Sequence, residues 1–450
     1  MKQEYQILID AVTKQRSKMD ACMDYIWSHP EIGYKEWKTS DYLEAKFKEL
    51  GYAVTKAGNI PGFCAEYDTG IPGPTIGIMG ELDALRCATH PDANPETKAV
   101  HACGHLIQTT IMLGVAAALK EPGTAKGLSG KVRFMAIPAE ETIDLEYREQ
   151  LVQQGIIKYM AGKIEFLYRG FFDGVDIAMM FHVASGENGL FQITKGSNGC
   201  ITKHFEYLGV ASHAGGAPHL GINALYAASL GLQACNALRE TFQEKDYVRY
   251  HPIINQAGVA ANAIPAVASL DTYVRAASLN AMIEVNRKIN RAIAASAAAI
   301  GAHVTIYDRP GNLPLICDEN LTRGVIEIIE DIYGEGQITE EDWCTQSTDV
   351  GDISSLMPVI QHHCFGAVGT QHGEDFYIAD REKCVLNPAV VLLCMVHDLL
   401  KENAAYANEV KEKYKPLFSS KQEYFQCIDK LQDHRELVSY EGEHQAVLRF

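Results

Sequence analysis

The chain has 450 residues, 47% of them apolar and 22% charged, and carries a net charge of −17. That length is too great for one ordinary core and implies two domains, and the composition is globular rather than disordered. The acidic balance argues against nucleic acid or an anionic membrane as a partner.

Twelve cysteines are scattered along the chain without the spacing of a small disulfide framework. The opening residues, MKQEYQILID, lack the apolar centre of a signal peptide. The longest apolar stretches, such as TTIMLGVAAAL and PAVVLLCMV, are too short to span a bilayer. The expectation is a cytoplasmic protein with reduced thiols.

In chain order, the first fifty residues read as two helices broken at His29-Pro30-Glu31-Ile32-Gly33. In the second, Tyr42, Leu43, Phe47 and Leu50 recur at helical spacing and Gly51 supplies the stop. PGFCAEYDTGIPGP reads as a hairpin-like approach to TIGIMGELDAL, a buried strand with an acidic end. Residues 106–120 read as a helix, and KVRFMAIPAEE and VDIAMMFHV as strands ending in polar groups. Such alternation, with chemistry at the strand ends, is the open α/β arrangement.

The character changes near residue 190. ITKHFEYLGV, a helical stretch near 222–240, VASLDTYVRA, the helix MIEVNRKINRAIAASAAAIG and HVTIYDR follow in turn. That order, near β-α-β-β-α-β, suggests a ferredoxin-like insert over residues 192–310. The α/β pattern then resumes with NLTRGVIEIIEDIYG as helix, PVIQHHCFGAVG as strand and PAVVLLCMVHDLLKEN as helix. The catalytic domain is therefore discontinuous, spanning 1–191 and 311–401, and 402–450 forms a charged helical extension.

Acid and imidazole groups stand at the ends of these elements. Cys103 and His105 lie in HACGH, where a kink at Gly104 can turn both side chains into one cavity; a buried cysteine beside a hydrogen-bonded histidine is the plainer reading of the pair alone. Glu140 and Glu141 follow an apolar strand and repel one another unless cations lie between them. One can ligate while its neighbour carries a proton; a solvated acidic turn is the alternative. His182 ends an apolar strand and His372 lies in the glycine-flanked loop VGTQHGED, and either one can be a satisfied structural histidine. Asp83 can orient a metal-bound group or cap a turn. A thiolate, imidazoles and a carboxylate are the ligand set of a catalytic Zn-type site, and the spare glutamate is a general base. In the insert, His213, Asn262 and Arg275 offer groups for an oxyanion and a substrate carboxylate. His362-His363 read as strand or rim residues.

HPEIGYKE, MGELDAL, HACGH, PAEE, GVASHAGGAPHLGINAL and NAIPAVASLDTYVRA recur in this order in a way that resembles the M20 metallopeptidase family, in its M20D amidohydrolase branch, over roughly residues 20–400. STDVGDIS and the spacing of the C-terminal third look most like the p-aminobenzoyl-glutamate hydrolase-like and related peptidase M20 domain-containing subgroups. The resemblance implies a catalytic domain with a central mixed sheet flanked by helices, and an inserted lid that makes a homodimer. It implies two divalent metal ions, Zn, Mn or Co, held by Cys103, His105, Glu141, His182 and His372, with Glu140 as general acid/base. His213 is implied to reach the active site of the other subunit. The expected substrate is a small amide: an N-acyl or N-aroyl amino acid, or a dipeptide. A carbamoylase or deacetylase-type hydrolase is the alternative, and a catalytically silent binding protein on the same fold is a third reading. Two departures stand out. Leu106-Ile107-Gln108 follows HACGH where many relatives have Asp-Gly-His, and the segment 143–170 is expanded.

Overall fold

The apolar runs ending in acidic or imidazole groups become four parallel neighbours at the centre of one sheet: β1 (Thr75–Glu81), β2 (Lys131–Ile137), β3 (Ile177–Ser185) and β4 (Val359–Val368). Such strands, covered on both faces, are apolar with little alternation, as their sequences are. Every residue of β1 is buried. In the computed structural model, which describes residues 2–186, 188–442 and 445–450, the sheet runs Val54–Lys56, Phe63–Asp68, β2, β1, β3, β4, Phe191–Thr194, Ile338–Glu341, with Tyr377–Ile378 against β4. β2, β1, β3 and β4 are mutually parallel, whereas Phe63–Asp68 and Phe191–Thr194 pair antiparallel to β2 and β4. The sheet is therefore mixed, with helices around it.

Parallel strands need a crossover. The helix α1 (Leu106–Leu119) supplies it between β1 and β2, and it is buried over its whole length, which explains why LIQTTIMLGVAAAL is apolar on all faces. Between β2 and β3 lie two helices, α2 (Leu145–Gln153) and α3 (Gly162–Tyr168). Contacts divide the chain into two units, and this sheet belongs to the first: residues 1–196, 316–344 and 352–417.

The second unit comprises residues 197–315, 345–351 and 418–450. Its antiparallel sheet runs Arg249–Tyr250, Val267–Ala276, Gly199–Leu208, His303–Asn312, Asp433–Glu436, and Ile253–Gln256 also pairs with Val267–Ala276. The helices Ala224–Ala237 and Leu279–Ile300 cover it around Phe205, Tyr207, Leu270, Ile289, Ile293 and Ile306.

Four details differ from the sequence expectations. The N-terminal region holds three helices, Gln3–Thr13, Arg16–Ser28 and Trp37–Glu49, because a turn at Lys14-Gln15 closes with the Gln15 N–H donating to the Val12 carbonyl. The second unit begins at 197 and not 192, since Phe191–Thr194 pairs into the first unit's sheet. The tail is not wholly helical: Asp433–Glu436 extends the second sheet along His303–Asn312, closing that edge. The apolar segment Glu382–Lys413 has the length and composition to cross a membrane, but its backbone is non-helical at Lys401–Ala404 and 72% of its apolar window is buried, as in a core helix.

Candidate metal centre

The carboxylates and His372 follow the carboxyl ends of the parallel strands, where an open α/β sheet places ligands, and Cys103 and His105 come from the loop that enters α1. β1 ends at Glu81 and is followed by Asp83; β2 is followed by Pro138-Ala139-Glu140-Glu141; β4 leads to the loop of His372. His182 lies inside β3, which continues to Ser185, and does not end the strand. Gly104 makes the kink between Cys103 and His105: its φ is +94° and a Cβ would lie 2.3 Å from Val183 Cγ1. The His372 loop is pinned to the same segment, its N–H donating to the Ala102 carbonyl at 2.9 Å.

These residues form two clusters that share one sulfur. Cys103, His105 and His182 offer ligand atoms within 4.8 Å of one another, and so do Cys103, Glu141 and His372. The Cys103 Sγ lies 3.6 Å from His182 Nε2, and His372 Nε2 lies 3.1 Å from Glu141 Oε1. Backbone carbonyls set two tautomers: Val183 O takes His182 Nδ1 at 2.9 Å and Asp83 O takes His105 Nδ1 at 2.9 Å. Each ring's Nε2 is left for another partner. His105 Nε2 and Glu141 Oε1 are buried, with ion-pair approaches of 3.1 Å to Glu81 Oε2 and His372 Nε2 and no well-formed hydrogen bond, an arrangement that a bound cation would complete. The residues thus fit a pair of divalent cations, and Cys103 is the ligand atom common to both groups.

The electrostatics agree. Burial pushes the Cys103 thiol well above its ordinary range, so a cation is needed to stabilise the thiolate. Burial alone would neutralise Glu141, Asp83 and Glu81, yet His372 and His105 beside Glu141, His105 beside Asp83, and Lys163 and His105 beside Glu81 hold all three below the usual carboxylate range. Burial and the neighbouring His105 lower His182, whereas Cys103, Glu81 and Asp83 overcome burial and raise His105 well above the usual imidazole range. A buried anionic cavity of this kind is suited to a cation.

Glu140 is only half-buried, and its Oε2 lies 3.8 Å from His105 Nε2. Its turn is strained and braced: Ala139 has φ 60°, and its N–H donates to Glu36 Oε1 at 2.8 Å. Arg148 of α2, fully buried, donates to the carbonyls of Met160 at 2.7 Å, Ala139 at 3.3 Å and Glu141. Sequence reasoning gave no role to Arg148, Glu36, Glu81 or Lys163. Glu81 carried a signal, a second carboxylate two residues before Asp83 at a strand end, and Arg148 and Lys163 lie in the segment 143–170 noted as expanded.

In the second unit, His213 and Asn262 come together and Arg275 does not join them. The ribbon Ser212–His213 pairs with Ala263–Ile264, and the Ala214 N–H donates to the Asn262 carbonyl at 2.9 Å. The exposed His213 ring accepts from the N–H groups of Gly215 and Gly216 at Nδ1, at 3.1 and 2.9 Å, which leaves Nε2–H as an outward donor. Arg275 lies eight residues beyond Val267 on the next strand, a strand length of about 26 Å from Val267 at ~3.3 Å per residue. Its guanidinium stacks on Tyr273, 4.6 Å from the ring centre. His362 is buried within β4, and His363, next on the same strand, is half-buried.

The strand ends and the shared thiolate together define a candidate metal centre on an α/β scaffold. The chain belongs to the peptidase family M20/M25/M40, whose pattern matches residues 77–397. Among curated relatives, it is 30% identical to one of the p-aminobenzoyl-glutamate hydrolase polypeptides of Escherichia coli over 69% of this chain and 61% of that one, so the match leaves more than a third of that relative uncovered. It is 28% identical to the human Xaa-Arg dipeptidase over 82% and 81% of the two chains. A Bacillus subtilis dinuclear metal binding peptidase of the M20 family shares the fold, with TM-score 0.67 and 19% identity over 86% of this chain and 99% of that one.

Proposed function

We propose that this chain is a metal-dependent hydrolase that cleaves the amide bond of an N-acyl or N-aroyl amino acid, or of a dipeptide. The observation that carries the reading is the pair of ligand clusters sharing Cys103, with the half-buried carboxylate of Glu140 beside them. The relatives named as an aminobenzoyl-glutamate hydrolase and a dipeptidase support the substrate class.

Two divalent cations of the Zn, Mn or Co type supply, when bound, the Lewis acidity that makes water nucleophilic and polarises an amide carbonyl. Glu140 takes the proton of the attacking water and delivers it to the leaving amine. Glu141 is a ligand and Asp83 is occupied, so this proton falls to Glu140. The outward Nε2–H of His213 stabilises the developing oxyanion from the lid of a second copy, and Asn262 and Arg275 hold the substrate carboxylate. Their separation along one chain is consistent with a homodimer, in which the ribbon of one copy and Arg275 of the other serve one site. All twelve cysteines are free thiols, which supports a cytoplasmic setting.

The test is a panel of N-acyl, N-aroyl, N-carbamoyl and dipeptide substrates with Zn, Mn or Co, each repeated after chelation. Turnover of at least one amide that EDTA abolishes and metal restores is expected. Turnover confined to N-carbamoyl compounds would reassign the leaving group, and none at all, with no bound metal, would leave a binding protein.

A further inference from the structure

The two departures from the family resemblance, the residues after HACGH and the expanded segment 143–170, meet at one carboxylate. Glu81, at the end of β1, is 1% exposed. Gln108 of α1 holds it at two points: the Glu81 N–H donates to Gln108 Oε1 at 2.9 Å, and Gln108 Nε2 donates to Glu81 Oε2 at 2.8 Å. Lys163 of α3, fully buried, donates to the other oxygen, Oε1, at 2.5 Å. The start of α3 fits against the Pro138-Ala139 turn so closely that a Cβ on Gly162 would lie 1.5 Å from the Pro138 carbonyl oxygen. That contact aims the next residue, Lys163, at the ends of the strands.

Glu81 Oε2 stands 3.1 Å from His105 Nε2, the atom that carries no hydrogen bond. A carboxylate so placed is an obvious competitor for a cation on His105. Yet it groups with His105 and Glu140, whereas Cys103 and His182 form the other cluster around His105. Both its oxygens are already tied to protein donors. A catalytic metal needs a coordination position that the protein does not fill.

We propose that Lys163 is a positioning residue that withholds Glu81 from the metal, so that the cation on His105 keeps an open position. Gln108 is the second tether. The segment 143–170 thus supplies an internal cation to satisfy a buried carboxylate that would otherwise turn to the metal. This rests on the metal-centre reading above. It predicts that loosening Glu81 makes zinc bind more tightly while the site works less well, a combination that a merely structural lysine would not produce.

The experiment is zinc binding by competition with a chromophoric chelator, with circular dichroism as the fold check. Wild type, Lys163→Met, Gln108→Leu and the double variant Glu81→Gln/Lys163→Met are compared. Lys163→Met is expected to hold one zinc about tenfold more tightly than wild type, a shift of the size outer carboxylate changes produce. The double variant, with no carboxylate to release, is expected to return to the wild-type affinity. Folded Lys163→Met with equal or weaker zinc binding overturns the inference, as does a double variant that stays tight. Where Lys163→Met does not fold, Gln108→Leu decides by the same criterion. Wild type that binds no zinc at all would instead remove the metal-centre reading itself.

Discussion

Asp83 joins the two halves of the metal centre: its Oδ2 accepts the Glu141 N–H at 2.9 Å, while its Oδ1 lies 3.3 Å from His105 Nδ1. Glu141 and His105 fall in different ligand clusters, so one side chain registers both. Asp83→Ala leaves the Asp83 carbonyl on His105 Nδ1 but frees Glu141. Zinc affinity is expected to fall about ten- to a hundredfold, read by chelator competition, with both binding events weakened. Loss confined to one site would show that the bridge between clusters has no energetic role.

Glu140→Gln tests the proposed proton carrier apart from the proposed ligands. The amide keeps the shape and removes the base, so turnover is expected to fall by roughly 10²–10⁴. Zinc stoichiometry, measured by atomic emission on the same preparation, is expected to match wild type. Loss of zinc instead would make Glu140 a ligand and leave the proton without a carrier.

The strand ends were legible because apolar runs terminating in Glu140-Glu141 or passing through His182 carry their pattern locally. That Cys103, His105, Glu141, His182 and His372 come together was legible only through their order along the chain. Periodicity could not show that β3 runs three residues past His182, since the strand is buried on both sides of it. Lys163 and Arg148 were invisible for another reason. Lysine and arginine ordinarily face water; Arg148 lies on the short polar helix α2, and Lys163 is carried inside by α3, which is buried from Gly162 to Leu167 and seated on the Pro138 turn. The separation of Arg275 from His213 is likewise a property of sheet register, which the residue types do not encode.

Gly104 fixes the angle between Cys103 and His105. Alanine there must adopt φ +94° and place its Cβ 2.3 Å from Val183 Cγ1, so either the loop or β3 has to move. Backbone strain alone costs about 1–3 kcal/mol, and the clash adds to it. Gly104→Ala is expected to lower the chemical denaturation midpoint of the metal-free protein and to weaken zinc binding. An unchanged midpoint with intact zinc binding would show that the kink can relax without cost.

His362 and His363 give the fold an acid limit. Burial pushes both down to about 3, whereas an unfolded histidine titrates near about 6.5. Their folded values lie below their unfolded ones, so between those limits the unfolded chain binds more protons, and stability falls as pH drops from about 6.5 towards 3. Each histidine contributes up to about 1.4 kcal/mol per pH unit in that window. His362 meets Thr322 Oγ1 at 3.2 Å through Nε2, and its Nδ1 has no partner; a neutral glutamine is the fitting substitute. In metal-free protein at fixed ionic strength, His362→Gln is expected to lose stability less steeply than wild type from pH 6 to pH 4, by about one proton's slope. Parallel slopes for the two proteins would mean that His362 is charged in the fold, and that a carboxylate or water reaches it inside β4.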